Sequence, residues 1–443
     1  MRMVRILQGT EASRQILERR TILNVEIPEA EAARFQAVYG EKILAEEFVQ
    51  RVFAEVGERG DAGVRRISEA LGETCADSWR VDDGEIDAAM ERAEPELLED
   101  LEAAAKRIRR FHDQTVPEEW SDEGMGVGQM FRPVDRVGVY APGGRAAYPS
   151  SLLMTAIPAK VAGVGELLVF SPGGTDGRVA DVTLAAARIA GADGVYAVGG
   201  AQAVAAMALG TESIPRVDKI AGPGNIFVVL AMRRAFGLVG VSTLPGPTET
   251  LLIADAAANA AEVAADLIAQ AEHDPMAAPV LLTDSGELAT AVEADLERKL
   301  ADLPRREVAL AALGNRGGIG VVDSLEDAME LANDYAPEHL CLLTADPEAL
   351  VAKVRNAGGV FVGAHSSEVL GDYVAGPSHV MPVGGTARFA SPVTVGDFLK
   401  TISVFALSQD AAVELGPLAA RLARYEGLEG HARAAEIRLR KDD

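Results

Sequence analysis

The sequence has little of several residue types that mark specialised protein classes. Aromatic residues make up 5% of the 443 positions, only 2 residues are cysteine, and lysine accounts for 8 of the 42 basic residues. Cys75 and Cys341 lie far apart and without a C-x-x-C spacing, which argues against a disulfide framework and against zinc held by a thiolate cluster. Ala, Val and Leu must form most of the core, and this composition favours an α/β protein.

The chain also lacks a long apolar run. No stretch of about 18 uncharged apolar residues occurs, so no transmembrane helix is expected. The two arginines within residues 1–8 lead into a polar run, residues 9–20, rather than into the apolar centre of a signal peptide. We therefore predict a cytoplasmic protein.

Charge of one sign dominates the sequence. The formal net charge is −25, and a broadly negative surface repels nucleic acid and anionic membranes, so neither is expected as a partner. An acidic, lysine-poor surface suits a salt-rich cytoplasm, but a high-GC genome produces a similar bias. A stability series against KCl would separate these two explanations.

The periodicity of apolar residues changes along the chain. Residues 28–111 show helical spacing, whereas 117–133 are rich in Pro, Gly and Asp and interrupt it. Two later stretches, 137–198 and 250–363, alternate short β-branched runs with amphipathic helices, which is typical of parallel βαβ units. From Phe398 onward the pattern returns to helix. The sequence thus predicts an α/β fold with two Rossmann-like domains and helical segments at both ends.

The pattern also sets the predicted domain boundaries. They are an N-terminal arm (1–30), a first Rossmann-like domain with a helical N-terminal part (31–136 and 249–392), a second Rossmann-like domain (137–248) and a C-terminal helical tail (393–443).

The usual nucleotide-binding fingerprints are absent. Neither G-x-G-x-x-G after a strand nor G-x-x-x-x-G-K-[ST] occurs. Glycine pairs do follow predicted strands, where backbone can approach a phosphate or a ring; they lie at 141–145, 171–175, 198–202 and 221–225. The pairs alone do not identify a nicotinamide cofactor.

Two of the six histidines lie beside other polar groups in distinct motifs. Gln270 and His273 are three residues apart at the end of a predicted helix, so both side chains should lie on one face and could share a metal ion. A solvated helix terminus is the alternative, because His is favourable near the last carbonyls and Gln is a weak ligand.

Glu338 and adjacent His339 are suited to proton transfer near neutral pH. They can share a site only at a loop or strand end, because neighbours in a regular strand point to opposite faces. An unrelated surface pair is the alternative.

Residues 370–389 form the densest functional-looking run. They include four Gly, two Pro, Asp372, His379 and Arg388, a composition suited to a ligand-binding loop rather than to a helix or strand, although a structural turn is an alternative. His431 lies near Glu426 in the polar tail and, by itself, suggests a solvated surface histidine. A ligand set of His, Asp and Gln without Cys suits an open, reacting metal site.

These motifs resemble those of the histidinol dehydrogenase family in order and spacing. The resemblance spans residues 137–431 and is carried by six motifs: D-K-I-A-G-P-G-N-I-F, P-G-P-T-E-T, A-Q-A-E-H-D-P, N-D-Y-A-P-E-H-L, G-D-Y-V-A-G-P-S-H-V-M-P-V-G-G-T-A-R-F and E-G-L-E-G-H-A.

The resemblance implies an enzyme that uses zinc and NAD to oxidise L-histidinol in two steps, through a bound aldehyde, to L-histidine. It implies one Zn²⁺ per subunit, with ligands Gln270, His273, Asp372 and His431. It also implies an intertwined homodimer in which Glu426 and His431 complete the partner's site. The 137–248 domain would then lie on the NAD side.

The resemblance also implies individual roles. Glu338 and His339 match the catalytic pair. The substrate-contacting positions are Thr248, Gln270, His273, Glu338, Asp372, His379, Glu426 and His431, and Tyr140, Gln202 and Asn225 match NAD contacts.

Two positions depart from the family pattern. Thr248 stands where Ser is common, which keeps the hydroxyl and adds a methyl group, and Ser378 stands where Asn is frequent. The competing interpretations are a zinc hydrolase, in which Glu338 activates water on an amide or ester, and a metal-dependent binding protein without turnover.

Overall fold

The structure is a computed structural model that describes residues 4–19, 35–143 and 147–439. Its contacts divide the chain into two compact units, Met1–Thr115 with Asp135–Phe398, and Val116–Val134 with Leu399–Asp443. The predicted arm (1–30) and the glycine pair at 141–145 lie partly outside the described residues. The domain boundaries inferred from the sequence remain a prediction.

The strands, in chain order, are β1 (Ile6–Gln8), β2 (Trp120–Asp122), β3 (Val127–Pro133), β4 (Arg136–Tyr140), β5 (Glu166–Ser171), β6 (Gly194–Ala197), β7 (Lys219–Ala221), β8 (Gly240–Val241), β9 (Glu249–Ala254), β10 (Ala278–Thr283), β11 (Gly318–Val321), β12 (His339–Leu343), β13 (Gly359–Val362) and β14 (Leu399–Phe405).

The α-helices with described ends are α1 (Thr10–Arg14), α2 (Ala45–Arg59), α3 (Asp61–Ala70), α4 (Asp83–Arg92), α5 (Pro95–Asp113), α6 (Pro149–Val161), α7 (Asp181–Ala190), α8 (Gly200–Leu209), α9 (Ile226–Ala235), α10 (Ala260–Ala271), α11 (Gly286–Leu300), α12 (Arg306–Asn315), α13 (Leu325–Tyr335), α14 (Pro347–Val351), α15 (Glu368–Tyr373), α16 (Gln409–Tyr425) and α17 (Glu429–Glu436). Short 3₁₀ helices cover Gln15–Leu17, Thr386–Arg388, Val395–Phe398 and Ile437–Leu439.

A six-stranded parallel sheet forms the frame of the larger unit, in the order β1-β11-β10-β9-β12-β13. Every residue of β9 and β10 is buried, as expected for central strands covered on both faces. Alternate residues of β9 enter different cores: Leu252 packs with helices α10 to α12, and Leu251 packs with α13. The sheet is therefore doubly wound.

The second parallel sheet of this unit has five strands, in the order β6-β5-β4-β7-β8. Its core shows how a chain poor in aromatics packs: helix α8 is buried along most of its length and consists chiefly of Ala with Val and Met. Chain order reverses between β4 and β7, and such a switch point at the carboxyl ends of parallel strands is where open α/β sheets bind ligands.

The smaller unit is built from two remote segments. β14 pairs with β3 in an antiparallel ladder of seven residue pairs, and β2 pairs with the other edge of β3. The expectation that helix resumes at Phe398 is wrong for residues 399–405, and residues 117–133 contain two strands rather than only an interruption. Helices α16 and α17 follow, and α16 carries exposed apolar side chains, among them Leu418, Leu422 and Tyr425.

The α/β class with parallel sheets and flanking helices confirms the predicted fold class. Predicted strands at 137–140, 167–170, 195–198 and 251–254 are found within two residues of those bounds. Among the described residues, no helix is both long and apolar enough to cross a membrane.

Candidate active site

The candidate site lies where strands β9 and β12 begin. These strands are parallel neighbours with His339 opposite Thr250, so the residues that precede them meet at the amino edge of the sheet. His339 opens β12 and Glu338 comes just before it. Adjacent residues can share a site only at a loop or a strand end, and these two lie at a strand end. His339 Nδ1 lies 3.6 Å from Glu338 Oε2.

The Glu338 carboxylate is buried and has two hydrogen-bond donors. The Thr248 hydroxyl donates to Oε2 at 2.8 Å, and the backbone N–H of Glu249 donates to the same oxygen at 3.1 Å. Burial raises the pKa of Glu338 to about 7, against the lowering effect of His339 and of these two hydrogen bonds. A carboxylate with this pKa can take up and release a proton near neutral pH.

The His339 ring is buried between two carboxylates. Its Nε2 lies 3.7 Å from Asp372 Oδ1, on the opposite side from Glu338, and neither ring nitrogen makes a hydrogen bond within the described residues. Burial lowers its pKa, but Glu338 and then Asp372 outweigh that effect and raise it above the usual range. Two unpartnered nitrogens in a buried ring are costly in a structural histidine and favourable in one that binds a ligand.

Gln270 and Asp372 come together beside this pair. Gln270 Oε1 accepts from Thr248 at 3.1 Å, and its Nε2 lies 3.4 Å from Asp372 Oδ2. Burial raises the pKa of Asp372, but the close approach of the His339 ring, followed by the charges of His379 and His273, lowers it overall.

The expectation that Gln270 and His273 share one helix face is wrong. Helix α10 ends at Ala271 with Glu272 as its cap, so His273 lies beyond the helix and is exposed, whereas Gln270 is buried. In the part of the chain that the structure describes, no three His, Cys, Asp or Glu residues are grouped as a metal site would require. The zinc set implied by the resemblance takes Gln270, His273 and Asp372 from this unit, and only two of these are of those four residue types.

His379 joins the two halves of the larger unit. Its Nε2 lies 2.9 Å from Ser151 Oγ in α6, and its Nδ1 lies 2.5 Å from the Asp372 carbonyl oxygen. Burial lowers its pKa, which favours the neutral imidazole. The surrounding run is only partly loop, since its first four residues complete helix α15. Ser378, a departure from the family pattern, is buried and accepts from the Val380 N–H.

Glu426 and His431 lie in the smaller unit. Glu426 caps the end of α16 and His431 lies in the first turn of α17, and both are exposed.

Tyr140, Gln202 and Asn225 lie around the switch point of the second sheet. Tyr140 ends β4, and its hydroxyl accepts from the Gly200 N–H at 3.1 Å. Asn225 caps α9 by accepting from Phe227 and Val228. Gln202 is fully buried and donates to Ser68 and Glu73, which leaves its Oε1 without a partner.

Sequence reasoning missed a buried group behind His339. Glu368 is 1% exposed, accepts hydrogen bonds from the Thr250 hydroxyl and from Cys341 Sγ, and has a pKa raised by burial. Its position four residues before Asp372 places both on one face of α15. Glu368 lies two residues before the 370–389 run, so the composition of that run gave no sign of it. Burial also raises the pKa of Cys341 well above its usual range, so this thiol is not a thiolate nucleophile.

Fold and site together define an α/β enzyme, with a buried acid–base pair at one sheet edge and glycine-rich strand ends at the switch point of a second sheet. The sequence model of the histidinol dehydrogenase family matches residues 39–439, so the chain belongs to that family, as the six motifs predicted.

Its relatives agree with this assignment. A histidinol dehydrogenase of Deinococcus radiodurans is 49% identical over 441 residues, covering 99% of this chain and 100% of the relative. One of Geobacillus kaustophilus is 47% identical over 395 residues, covering 88% and 93%. The crystal structure of histidinol dehydrogenase from Elizabethkingia anophelis superposes with a TM-score of 0.91 at 31% identity, covering 99% and 98%.

Proposed function

We propose that this chain is a cytoplasmic, zinc-requiring L-histidinol dehydrogenase that oxidises L-histidinol to L-histidine at the end of histidine biosynthesis, with two NAD molecules as hydride acceptors. The observation that carries the proposal is the buried Glu338–His339 pair, held against Thr248 and Asp372 in a chain that matches the family from residue 39 to 439.

His339 is the base of both oxidations. In the neutral ring one unpartnered nitrogen can accept the hydroxyl proton of the alcohol while the carbinol hydrogen leaves as hydride to NAD, which gives an aldehyde. The Glu338 and Asp372 carboxylates, which raise the His339 pKa, stabilise the imidazolium that this step forms. In the second oxidation His339 accepts a proton from the hydrated aldehyde as hydride leaves to a second NAD. Neither Cys75 nor Cys341 is required as a nucleophile.

Glu338 activates the water that joins the two oxidations. As a carboxylate it takes a proton from water while the oxygen attacks the aldehyde carbon, and His339, protonated in the first oxidation, gives its proton to the former carbonyl oxygen, so that the product is the hydrate. The Glu338 pKa of about 7 suits this transfer, and the Thr248 hydroxyl and Glu249 N–H keep Oε2 oriented.

The donor set around Asp372 fits zinc. Asp372 offers a carboxylate, His273 an exposed imidazole and Gln270 an amide, whose Nε2 lies towards Asp372 and whose oxygen would face the ion after the amide is turned over. Together they form a nitrogen and oxygen set suited to an open site. With His431 from the partner subunit, these residues would hold the ion, which when bound supplies orientation of the substrate and charge compensation. His379, neutral and fixed by Ser151, is placed to hydrogen-bond the substrate.

NAD binds at the switch point of the second sheet. Tyr140 and Asn225 flank the ends of β4 and β7, and the glycines there let backbone approach a dinucleotide. Gln202 takes part through its remaining acceptor, Oε1.

The active form is a homodimer with exchanged tails. Helix α16 exposes Leu418, Leu422 and Tyr425, an apolar surface suited to burial against a second copy. Glu426 lies at the end of this helix and His431 lies on α17, and exchange would bring them into the partner's site.

Absorbance at 340 nm tests the proposal directly. Purified protein with L-histidinol, NAD and zinc should form two NADH per histidinol, and chelator or His339→Asn should abolish the signal. One NADH would show that the aldehyde escapes. No NADH at any KCl concentration would refute the dehydrogenase and favour a metal-dependent binding protein.

A further inference from the structure

Arg19, outside every motif that carries the family resemblance, lies at the junction of three segments around the site. Its guanidinium donates to both oxygens of Glu249, at 2.9 Å from Nε and 2.6 Å from one terminal nitrogen, and that nitrogen also lies 3.3 Å from the Ala336 carbonyl oxygen. Its Cζ atom lies over the Tyr335 ring, 3.8 Å from the ring centre. A planar fork that pairs with a carboxylate and stacks on an aromatic ring requires arginine rather than lysine.

The Glu249 side chain is only 4% exposed, so an unpaired charge there would be costly. Its Oε2 also accepts from the N–H of Gly384, in the loop that follows His379. The backbone N–H of the same residue donates to Glu338 Oε2. Glu249 therefore links the two groups, because Arg19 fixes its side chain and its backbone N–H orients the Glu338 carboxylate.

The segment leading into the acid–base pair has an uncommon backbone. Ala336 has φ 50°, in the left-handed region, and is the only non-glycine residue with positive φ in the described parts of the chain. Pro337 and Glu338 follow at once. The guanidinium pairs with the carbonyl of this strained residue and so restrains the turn that delivers Glu338.

The third segment is the loop that contains Gly385. A Cβ added to Gly385, which has φ 81°, would lie 2.5 Å from Nη1 of Arg19. Only glycine lets this loop pass so close to the guanidinium.

We infer that Arg19 is a positioning residue for the Glu338 carboxylate, acting through the Glu249 side chain and the Ala336 carbonyl. The inference rests on the proposed function, because the step it affects is water activation by Glu338. Arg19 touches no atom of the Glu338 side chain in the contacts above, so its effect should appear in turnover rather than in substrate affinity.

The test compares Arg19→Ala and Arg19→Lys with a matched control, Arg14→Ala. Arg14 lies in the same N-terminal segment, but its ion pair with Asp334 is exposed. For Arg19→Ala we expect kcat for oxidation of the aldehyde intermediate to fall about 10- to 100-fold, because small misplacements of a catalytic group have effects of this size. KM should change by less than about threefold. Arg19→Lys should remain impaired, because an ammonium cannot form the fork.

Chemical rescue separates positioning from folding. Guanidinium at a non-denaturing concentration should restore part of the kcat of Arg19→Ala and leave wild type and Arg14→Ala unchanged. Wild-type turnover of Arg19→Ala, full activity of Arg19→Lys, or a loss that guanidinium does not restore would each overturn the inference. If wild type itself fails to oxidise L-histidinol, it is the proposed function that fails.

Discussion

The Thr248 hydroxyl oxygen lies 2.8 Å from Glu338 Oε2 and 3.1 Å from Gln270 Oε1. A hydroxyl has one proton, so it can donate to only one of these acceptors at a time. Thr248 thus couples the acid–base pair to the amide that we propose as a zinc ligand.

Replacing this hydroxyl should separate its role from that of the methyl group. Thr248→Ser keeps the donor, and we expect kcat/KM within about threefold of wild type. Thr248→Val keeps the shape and loses the donor to a charged group, a loss of roughly 1.5–3 kcal/mol, so kcat/KM should fall about 10- to 100-fold. Steady-state kinetics of both variants test this, and equal values for Val and wild type would show that the hydroxyl is not used.

Aldehyde oxidation should depend on pH through Glu338. Water activation needs the carboxylate, and burial raises its pKa to about 7, so the rate should fall as pH drops through about 7. Glu338→Gln should lose this acidic limb along with most of the rate, whereas oxidation of the alcohol should be less affected. Stopped-flow measurement of each half-reaction between pH 5.5 and 9 provides the comparison. An acidic limb that survives in Glu338→Gln would assign the titration to another group.

His112 should weaken the fold in mild acid. The ring is buried in α5 without a hydrogen-bond partner in the described residues, and burial lowers its pKa from 6.5 to about 4. Below pH 6.5 the unfolded chain gains a proton that the folded chain does not, so stability falls progressively towards pH 4. His112→Leu should reduce this loss, and urea midpoints at pH 7 and 5 measure it. His365→Gln, at an exposed histidine, is the control and should behave as wild type.

Mixed dimers test tail exchange. Neither His339→Asn nor His431→Asn should be active alone. After the two are mixed and allowed to reassociate, heterodimers should contain one intact site, built from the wild-type site residues of one subunit and the wild-type tail of the other. Statistical mixing then gives about one quarter of wild-type activity. Absence of recovery, with heterodimers demonstrated by differently tagged subunits, would mean that each site is built from one chain.

Much of the fold follows from local sequence pattern. Strands such as Glu249–Ala254 contain short apolar runs because both faces of the sheet are covered, whereas helices such as α10 show a single apolar stripe, so period and length distinguish the two. The strand Leu399–Phe405 was not predicted, because its pairing with Val127–Pro133 joins segments about 270 residues apart and leaves no local signal.

The site was predictable only in part. The adjacent Glu338 and His339, and the dense run around Asp372, signal chemistry by composition. Their location was not foreseen: the general rule places ligands at the carboxyl ends of parallel strands, whereas this pair lies where β9 and β12 begin. Arg19 escaped notice because its importance depends on a contact across 230 residues.

The three residues Ile6–Gln8 complete the edge of the six-stranded sheet only by pairing with Ile319–Val321. During synthesis β1 must wait for more than 300 further residues before its partner exists, and strand Val127–Pro133 waits nearly as long for Leu399–Phe405. Non-local pairings of this kind fold slowly and leave strand edges open to association with other chains. Productive expression should therefore depend on chaperone supply and on slow growth more strongly than the stability of the finished enzyme would indicate.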